Sequence, residues 1–307
     1  MELAAELARH KPRRGSLLTI GVFDGVHLGH QHLVRRLVER ARQEGLASGV
    51  VTFLQHPRVV LSPRTRLPYL TGLEERCQFL RDLGVGFIVS LSFTEEVARL
   101  GAREFISLLQ EHLGMRGLVI GPDFALGRGR EGDAAALTAL GEGLGFSVEV
   151  VPPLVSEGVA VSSTAVRHAL ARGEMDIVIR LLGRPYRIEG KIVSGEGRGR
   201  GLGFPTANIL VDADCALPGD GVYVTRAFIN GETYKSATNV GRRPTFDPGE
   251  RMVEVFVIDY EGDLYGRRMS IEFVERLRDE VRFASPEELA AQIEKDVART
   301  RAILEDR

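Results

Sequence analysis

At Gly183-Arg184-Pro185 the hydrophobic pattern changes kind, and that change limits the fold of this 307-residue chain more than any single motif does. Before it, apolar runs at residues 17–20, 48–53, 86–91, 118–121 and 147–151 alternate with helix-period stretches such as 73–83 and 102–113. Strand and helix in alternation predict a parallel sheet wrapped by helices. After it come short β-type runs at 221–229, 233–240, 253–260 and 268–277, separated by Gly, Pro and Asp turns. These predict an antiparallel barrel or sandwich. Ser285-Pro286-Glu287-Glu288 then announces a terminal helix, with Leu289, Ile293 and Val297 on one stripe. The expected organisation is an α/β domain over 1–183 and an antiparallel β domain over 184–307.

A net charge of −2 gives the chain no overall nucleic-acid footprint, so any basic patch must be local. No apolar run approaches the roughly 18 residues of a spanning helix, and residues 1–14 lack an apolar core followed by a cleavage site. The expectation is a soluble cytoplasmic protein with no membrane partner. Cys77 and Cys215 are far apart and form no Cys-x-x-Cys pattern, which argues against zinc and a disulfide framework. Both read as core thiols.

The segment Gly21-Val22-Phe23-Asp24-Gly25-Val26-His27-Leu28-Gly29-His30 lies where the first strand stops and a helix begins. Histidines three residues apart share one face of the first helical turn. Free N–H groups and the positive end of the helix dipole converge there, so an anion such as a phosphate is attracted. The alternative is that His27 caps the helix and His30 is solvated surface. Two further segments fall at a strand end and a helix start: Gly121-Pro122-Asp123-Phe124-Ala125-Leu126-Gly127 and Val161-Ser162-Ser163-Thr164-Ala165-Val166-Arg167. Ser163 and Thr164 offer hydroxyls to phosphate or cap the helix, and Arg167 adds a cationic fork. Gly127-Arg128-Gly129-Arg130-Glu131-Gly132 satisfies Gly-x-Gly-x-x-Gly, but Pro122 to Leu126 separate it from the strand, so a nicotinamide site is disfavoured.

In the second half, Gly195-Glu196-Gly197-Arg198-Gly199-Arg200-Gly201-Leu202-Gly203 has glycine at every second position. Such a loop can fold its amides around an anion, or it is a flexible Arg/Gly tract that contacts RNA through Arg198 and Arg200. Phe204-Pro205-Thr206-Ala207-Asn208 follows with hydroxyl and amide oxygens suited to a hard cation such as Mg²⁺. Glu254 sits between Val253 and Val255, so strand alternation turns it away from an interior that holds the valines.

Taken in order, these motifs resemble the bacterial bifunctional riboflavin kinase and FAD synthetase family over nearly the whole chain. The first half is similar to the Rossmann-like nucleotidyltransferase superfamily through its His-x-Gly-His box. The second is similar to the riboflavin kinase barrel through Gly-Phe-Pro-Thr-Ala-Asn, Asn239-Val240-Gly241-Arg242-Arg243-Pro244-Thr245, Val253-Glu254-Val255 and residues 259–266. The resemblance implies phosphorylation of riboflavin to FMN and adenylylation of FMN to FAD (FMN adenylyltransferase activity), with ATP as co-substrate and Mg²⁺. By it, His27 and His30 stabilise the transferring phosphoryl group, and Phe23, Asp24, Gly25, Asp123, Ser163, Thr164 and Arg167 bind ATP in the first domain. Gly197, Gly199, Gly203, Pro205 and Asn239 bind ATP in the second, Thr206 and Asn208 hold Mg²⁺, and Glu254 is the base. Phe124, Arg276 and Leu277 contact flavin, with 273–280 as a flap and helix over its ring. The chain departs from the family pattern at Leu54-Gln55, in place of Asp-Pro, at Leu126 and at Phe256.

Overall fold

A computed structural model of the chain describes residues 2–62, 64, 66–194, 203–242 and 251–305. It forms two compact units, Met1–Ser163 and Thr164–Arg307. In the first, strands β1 (Ser16–Ile20), β2 (Ala47–Phe53), β3 (Phe87–Leu91) and β4 (Met115–Ile120) precede a short hairpin of β5 (Ala125–Leu126) and β6 (Gly132–Asp133), then β7 (Ser147–Val150) and a second hairpin of β8 (Val155–Ser156) and β9 (Val159–Ala160). The main sheet has the order β3-β2-β1-β4-β7, and every pair in it is parallel. Helices α1 (Glu2–Ala8), α2 (Leu28–Gln43), α3 (Pro57–Leu61), α4 (Leu73–Asp82), α5 (Glu95–Arg99), α6 (Ala102–Leu113) and α7 (Ala134–Leu144) accompany it.

Alternation along the strands builds two cores. Leu18, Val51 and Leu118 pack with Leu7, Phe105, Ile106 and Leu109 on one face, and Leu17, Val50 and Val119 pack with Val34, Leu37 and Leu80 on the other. Each such side chain contributes about 1.5–3 kcal/mol on leaving water. The strand order reverses between β1 and β4. Ligands in open parallel sheets bind outside the carboxyl ends of the strands at such a point, which selects the loops after Ile20 and Ile120.

The second unit begins along α8 (Ser163–Arg172) and continues through α9 (Met175–Leu182), ahead of the boundary at 183/184 expected from texture. Strands β10 (Tyr186–Val193), β11 (Thr206–Val211), β12 (Gly221–Ile229), β13 (Glu232–Arg242), β14 (Arg251–Val257) and β15 (Arg268–Arg278) close into an antiparallel barrel in the order β10-β11-β14-β13-β12-β15. Of the two expected arrangements, it is the barrel. Ile209, Tyr223, Val253, Val255, Ile271 and Phe273 are buried on the faces that the strand registers bring together inside. Thr225 Oγ1 joins them and meets Ser236 Oγ and Thr238 Oγ1 at 2.7 Å each, so the interior hydroxyls satisfy one another. Helix α10 (Pro286–Glu305) lies on β12 and β13, and its buried Asp296 binds the Arg278 guanidinium at 2.8–3.2 Å.

Two expectations need correcting. Residues 273–278 are the last part of barrel strand β15, as the β-type run over 268–277 predicts and not the flap and helix that the resemblance implies, and Phe273 is fully buried, because its side chain alternates inward with Ile271. Cys77 is buried as expected, but Cys215 is only partly so.

Two candidate active sites

The turn that follows β1 is held in a rare backbone conformation. Phe23, Gly25 and Val26 have φ of 54°, 80° and 37°. Glycine accepts such angles freely, whereas Phe and the β-branched Val are strained there, by about 1–3 kcal/mol each. The surroundings over-determine the turn. The Asp24 carboxylate accepts from Leu70 N–H at 2.9 Å and Thr71 N–H at 3.1 Å. Gly25 N–H donates to Thr71 Oγ1 at 3.0 Å, Gln31 Nε2 donates to Val26 O at 3.0 Å, and Ser163 Oγ donates to Asp24 O at 2.8 Å.

This turn presents the two histidines at the start of α2. His27 caps the helix, its Nδ1 accepting from His30 N–H at 3.2 Å, and is 5% exposed. Nδ1 therefore carries no proton in the neutral ring, which places the N–H on Nε2. His30 stacks on it, with ring centroids 3.6 Å apart and planes 19° apart, and meets Phe23 edge-on at 5.1 Å. The two sequence alternatives thus merge. His27 is a cap, but His30 is not solvated surface: its Nδ1 is buried without a hydrogen-bond partner among the described residues. Burial, then the neighbouring His27 and Arg76, push the His30 imidazole well below its usual range, so it is neutral at pH 7. At Gly29 a Cβ would meet Val161 O at 2.9 Å and the His27 ring at 3.1 Å, so only glycine permits this packing.

Arg76 was not singled out by sequence reasoning. It lies on α4 with Cys77 and Leu80 on the buried face and is 1% exposed. Its Nη1 donates to Val22 O at 2.6 Å and also lies 3.4 Å from Thr52 Oγ1 and 3.5 Å from Phe53 O. A charged residue falling on the apolar stripe of a helix was the available signal.

Several expected phosphate ligands have other work. Phe23 is 2% exposed inside a core cluster, and Asp24, 2% exposed, is occupied by Leu70 and Thr71 and would in any case repel an anion. The Ser163 hydroxyl is committed to Asp24 O. Gly25 is buried and donates its N–H within the protein. Asp123, after β4, is exposed and receives Arg130 Nη2 on its carbonyl at 3.0 Å, while Phe124 is half-buried against the core rather than presented as a free ring. Thr164 is exposed and Arg167 half-buried on α8, in the second unit. In the loop that departs from the family, Gln55 Oε1 accepts from Phe93 N–H at 3.3 Å and His56 N–H donates to Tyr69 OH at 2.6 Å.

In the barrel, the registers Asn208↔Glu254 and Asn239↔Glu254 set the three side chains in a row across β11, β14 and β13, with Thr206↔Phe256 two positions along. Val253 and Val255 are buried inside, so Glu254 faces outward, as alternation predicts, and so does the site that shares its face. The row is polar and partly buried. Asn208 is 6% exposed, and Oδ1 of both Asn208 and Asn239 is buried with no partner among the described residues. Asn239 Nδ2 donates to Glu280 Oε1 at 3.0 Å, which fixes that amide. Phe256 packs edge-on against Phe204 at 5.4 Å.

At one end of the barrel, Pro205, Thr206, Val255, Val257, Tyr260 and Leu264 help to line a cavity of about 420 Å³. Gly203 is exposed nearby in sequence with φ 84°. Gly197 and Gly199, with Arg198 and Arg200, lie outside the described residues, as do Arg243, Pro244 and Thr245. Arg276 is engaged in part: Nη2 donates to Asp220 O at 2.6 Å and pairs with Asp279, while its buried Nε has no hydrogen-bond partner among the described residues. Leu277 is half-buried in β15. Among the described residues no group of three His, Cys, Asp or Glu side chains could hold a metal.

Comparison with known proteins assigns each part of the chain to a family. Residues 9–165 match the FAD synthetase family and residues 182–304 match the riboflavin kinase family. A bifunctional riboflavin kinase/FMN adenylyltransferase from Pseudomonas fluorescens is 40% identical over 99% of this chain and 98% of its own. That of Escherichia coli strain K12 is 39% identical over 93% and 91%. A solved structure described as a macrolide-efflux protein from Streptococcus pneumoniae superposes with a TM-score of 0.89 at 32% identity, covering 96% of each chain. No described helix of the present chain is long and apolar enough to cross a membrane. The chain belongs to the family of bifunctional riboflavin kinase/FMN adenylyltransferases.

Proposed function

We propose that this chain makes FMN and then FAD: residues 184–307 phosphorylate riboflavin with ATP, and residues 1–183 join FMN to the adenylyl group of a second ATP, releasing pyrophosphate. The observation that carries the reading is that each family region contains buried polar atoms with no hydrogen-bond partner among the described residues, including His30 Nδ1 in one and the Asn208 and Asn239 carbonyl oxygens in the other.

In adenylyl transfer, an FMN phosphate oxygen attacks the α-phosphorus of ATP and pyrophosphate leaves, with no covalent enzyme intermediate. Such a reaction needs positioning and charge stabilisation more than proton transfer. His27 offers its Nε2–H and His30 a neutral imidazole, and the N-terminus of α2 adds its positive dipole end. In the kinase reaction, the ribityl hydroxyl attacks the γ-phosphorus, the bond to the β-phosphate oxygen breaks so that ADP leaves, and Glu254 receives the hydroxyl proton. The oxygen set of Thr206, Asn208 and Asn239 fits a hard cation, and Thr206 and Asn208 would hold Mg²⁺ with the ATP phosphates. When bound, the cation neutralises charge on the phosphates. The cavity beside Pro205 and Thr206 suits the remainder of that nucleotide.

Chromatography of flavins after incubation with riboflavin and MgATP tests the whole. FAD is the expected product. A halt at FMN would remove the adenylyl-transfer half of the reading and point to the departures at Leu54, Gln55 and Leu126.

A further inference from the structure

Arg76 stands apart among the residues around the histidines. It is a fully buried cation whose hydrogen bonds end on neutral oxygens, those of Val22, Thr52 and Phe53, and its Nε has no partner among the described residues. Asp24, the carboxylate whose charge acts on it, has both oxygens turned to the Leu70 and Thr71 amides. A buried charge without an ion pair among the described residues is costly to fold around, so a neutral residue donating to Val22 O would be the more stable choice. The carbonyl it holds belongs to the residue that enters the strained Phe23–Val26 turn, and its charge reaches His30. Thr52 Oγ1 donates to the same Val22 O at 3.1 Å, so the tether alone does not require a cation.

We infer that Arg76 is a positioning residue for adenylyl transfer: its guanidinium fixes the mouth of the turn that carries His27 and His30 and sets a permanent positive charge beside the pair, available to the negative charge that builds on the transferring group. Arg76 does not touch substrate; it acts through the turn and through the field at the histidines. The inference rests on the proposed role of the histidines in that reaction.

The test uses the full-length protein with Arg76→Ala and Arg76→Lys, and His30→Ala alongside. FMN-to-FAD and riboflavin-to-FMN turnover are measured on the same preparations. Arg76→Ala is expected to lower kcat for FAD formation about 100-fold, the scale of a small misplacement at a reacting centre, with KM for ATP changed little and kinase turnover unchanged. Guanidinium chloride far below denaturing concentrations should restore part of that kcat, and Arg76→Lys should retain more than Arg76→Ala. FAD formation within twofold of wild type in Arg76→Ala overturns the inference. So does an equal loss in both variants that guanidinium does not relieve, accompanied by a lower melting temperature, since that is what a purely structural arginine gives. If His30→Ala itself keeps full FAD formation, the underlying reading of the histidines has failed instead.

Discussion

His27 and His30 are joined twice, by ring stacking at 3.6 Å and by the His30 N–H that donates to His27 Nδ1. The pair behaves as one unit whose orientation is set by the helix start. His30→Ala should therefore remove FAD formation by about 10²–10³-fold, the scale of losing one positioned donor, and leave riboflavin phosphorylation intact. Separate assays with FMN and with riboflavin decide it, and equal loss of both products would contradict two independent sites.

The low affinity of His30 for a proton has a consequence for stability. Its folded-state value is depressed below the ordinary 6.5, so the unfolded chain binds the extra proton first as pH falls through that value. Stability of the first unit is expected to be complete above this range and to decline on acidification below it. Thermal melts at pH 7.5 and 5.5 should show a smaller pH effect in His30→Gln than in wild type.

Glu254 lies between Asn208 and Asn239 in the strand register, on the outward face of β14. Glu254→Gln keeps the shape and removes the base, so kinase turnover should fall about 10²–10⁴-fold, while FAD formation from supplied FMN continues. Unchanged kinase turnover would exclude Glu254 as the base.

Gly241 allows Glu280 to lie against β13, where a Cβ would collide with the Glu280 carboxylate. Gly241→Ala should push that flexible side chain aside at small cost in stability and release the Asn239 amide. A raised KM for MgATP in the kinase assay, with the melting temperature nearly unchanged, is the expected result.

Asp296 anchors α10 to the barrel through Arg278. Asp296→Ala should destabilise the second unit by about 3 kcal/mol, because it leaves a partly buried guanidinium unpaired. Denaturant titration followed through the kinase activity would register it.

Much of this was readable from residue order. The switch from helix-period to strand-period texture separates the α/β half from the antiparallel β half but leaves barrel and sandwich open in the second, and Val253-Glu254-Val255 sets the outward direction of the glutamate, since a period of two leaves no other choice. What could not be read came from contacts between distant positions. Asp24 looks like part of a phosphate loop because its partners, Leu70 and Thr71, lie 46 and 47 residues away. Ser163 looks like a phosphate ligand until Asp24 O is found 139 residues back. Arg76 passes for a surface charge unless its helical stripe with Leu80 is noticed. The stretch 273–278 carries two conflicting signals: the β-type run 268–277 gives the strand that is found, whereas the family likeness of 273–280 implies a flap and helix.

The barrel is closed by a pairing between its first and last strands, β10 and β15. The parallel sheet of the first unit, by contrast, has all its strands by Val150. During synthesis the sheet can thus assemble while the barrel is still a row of unjoined staves, and the ring shuts only after Arg278 has been added. A growing chain would be able to complete the sheet of its adenylylating half before the barrel of the half that supplies its flavin substrate.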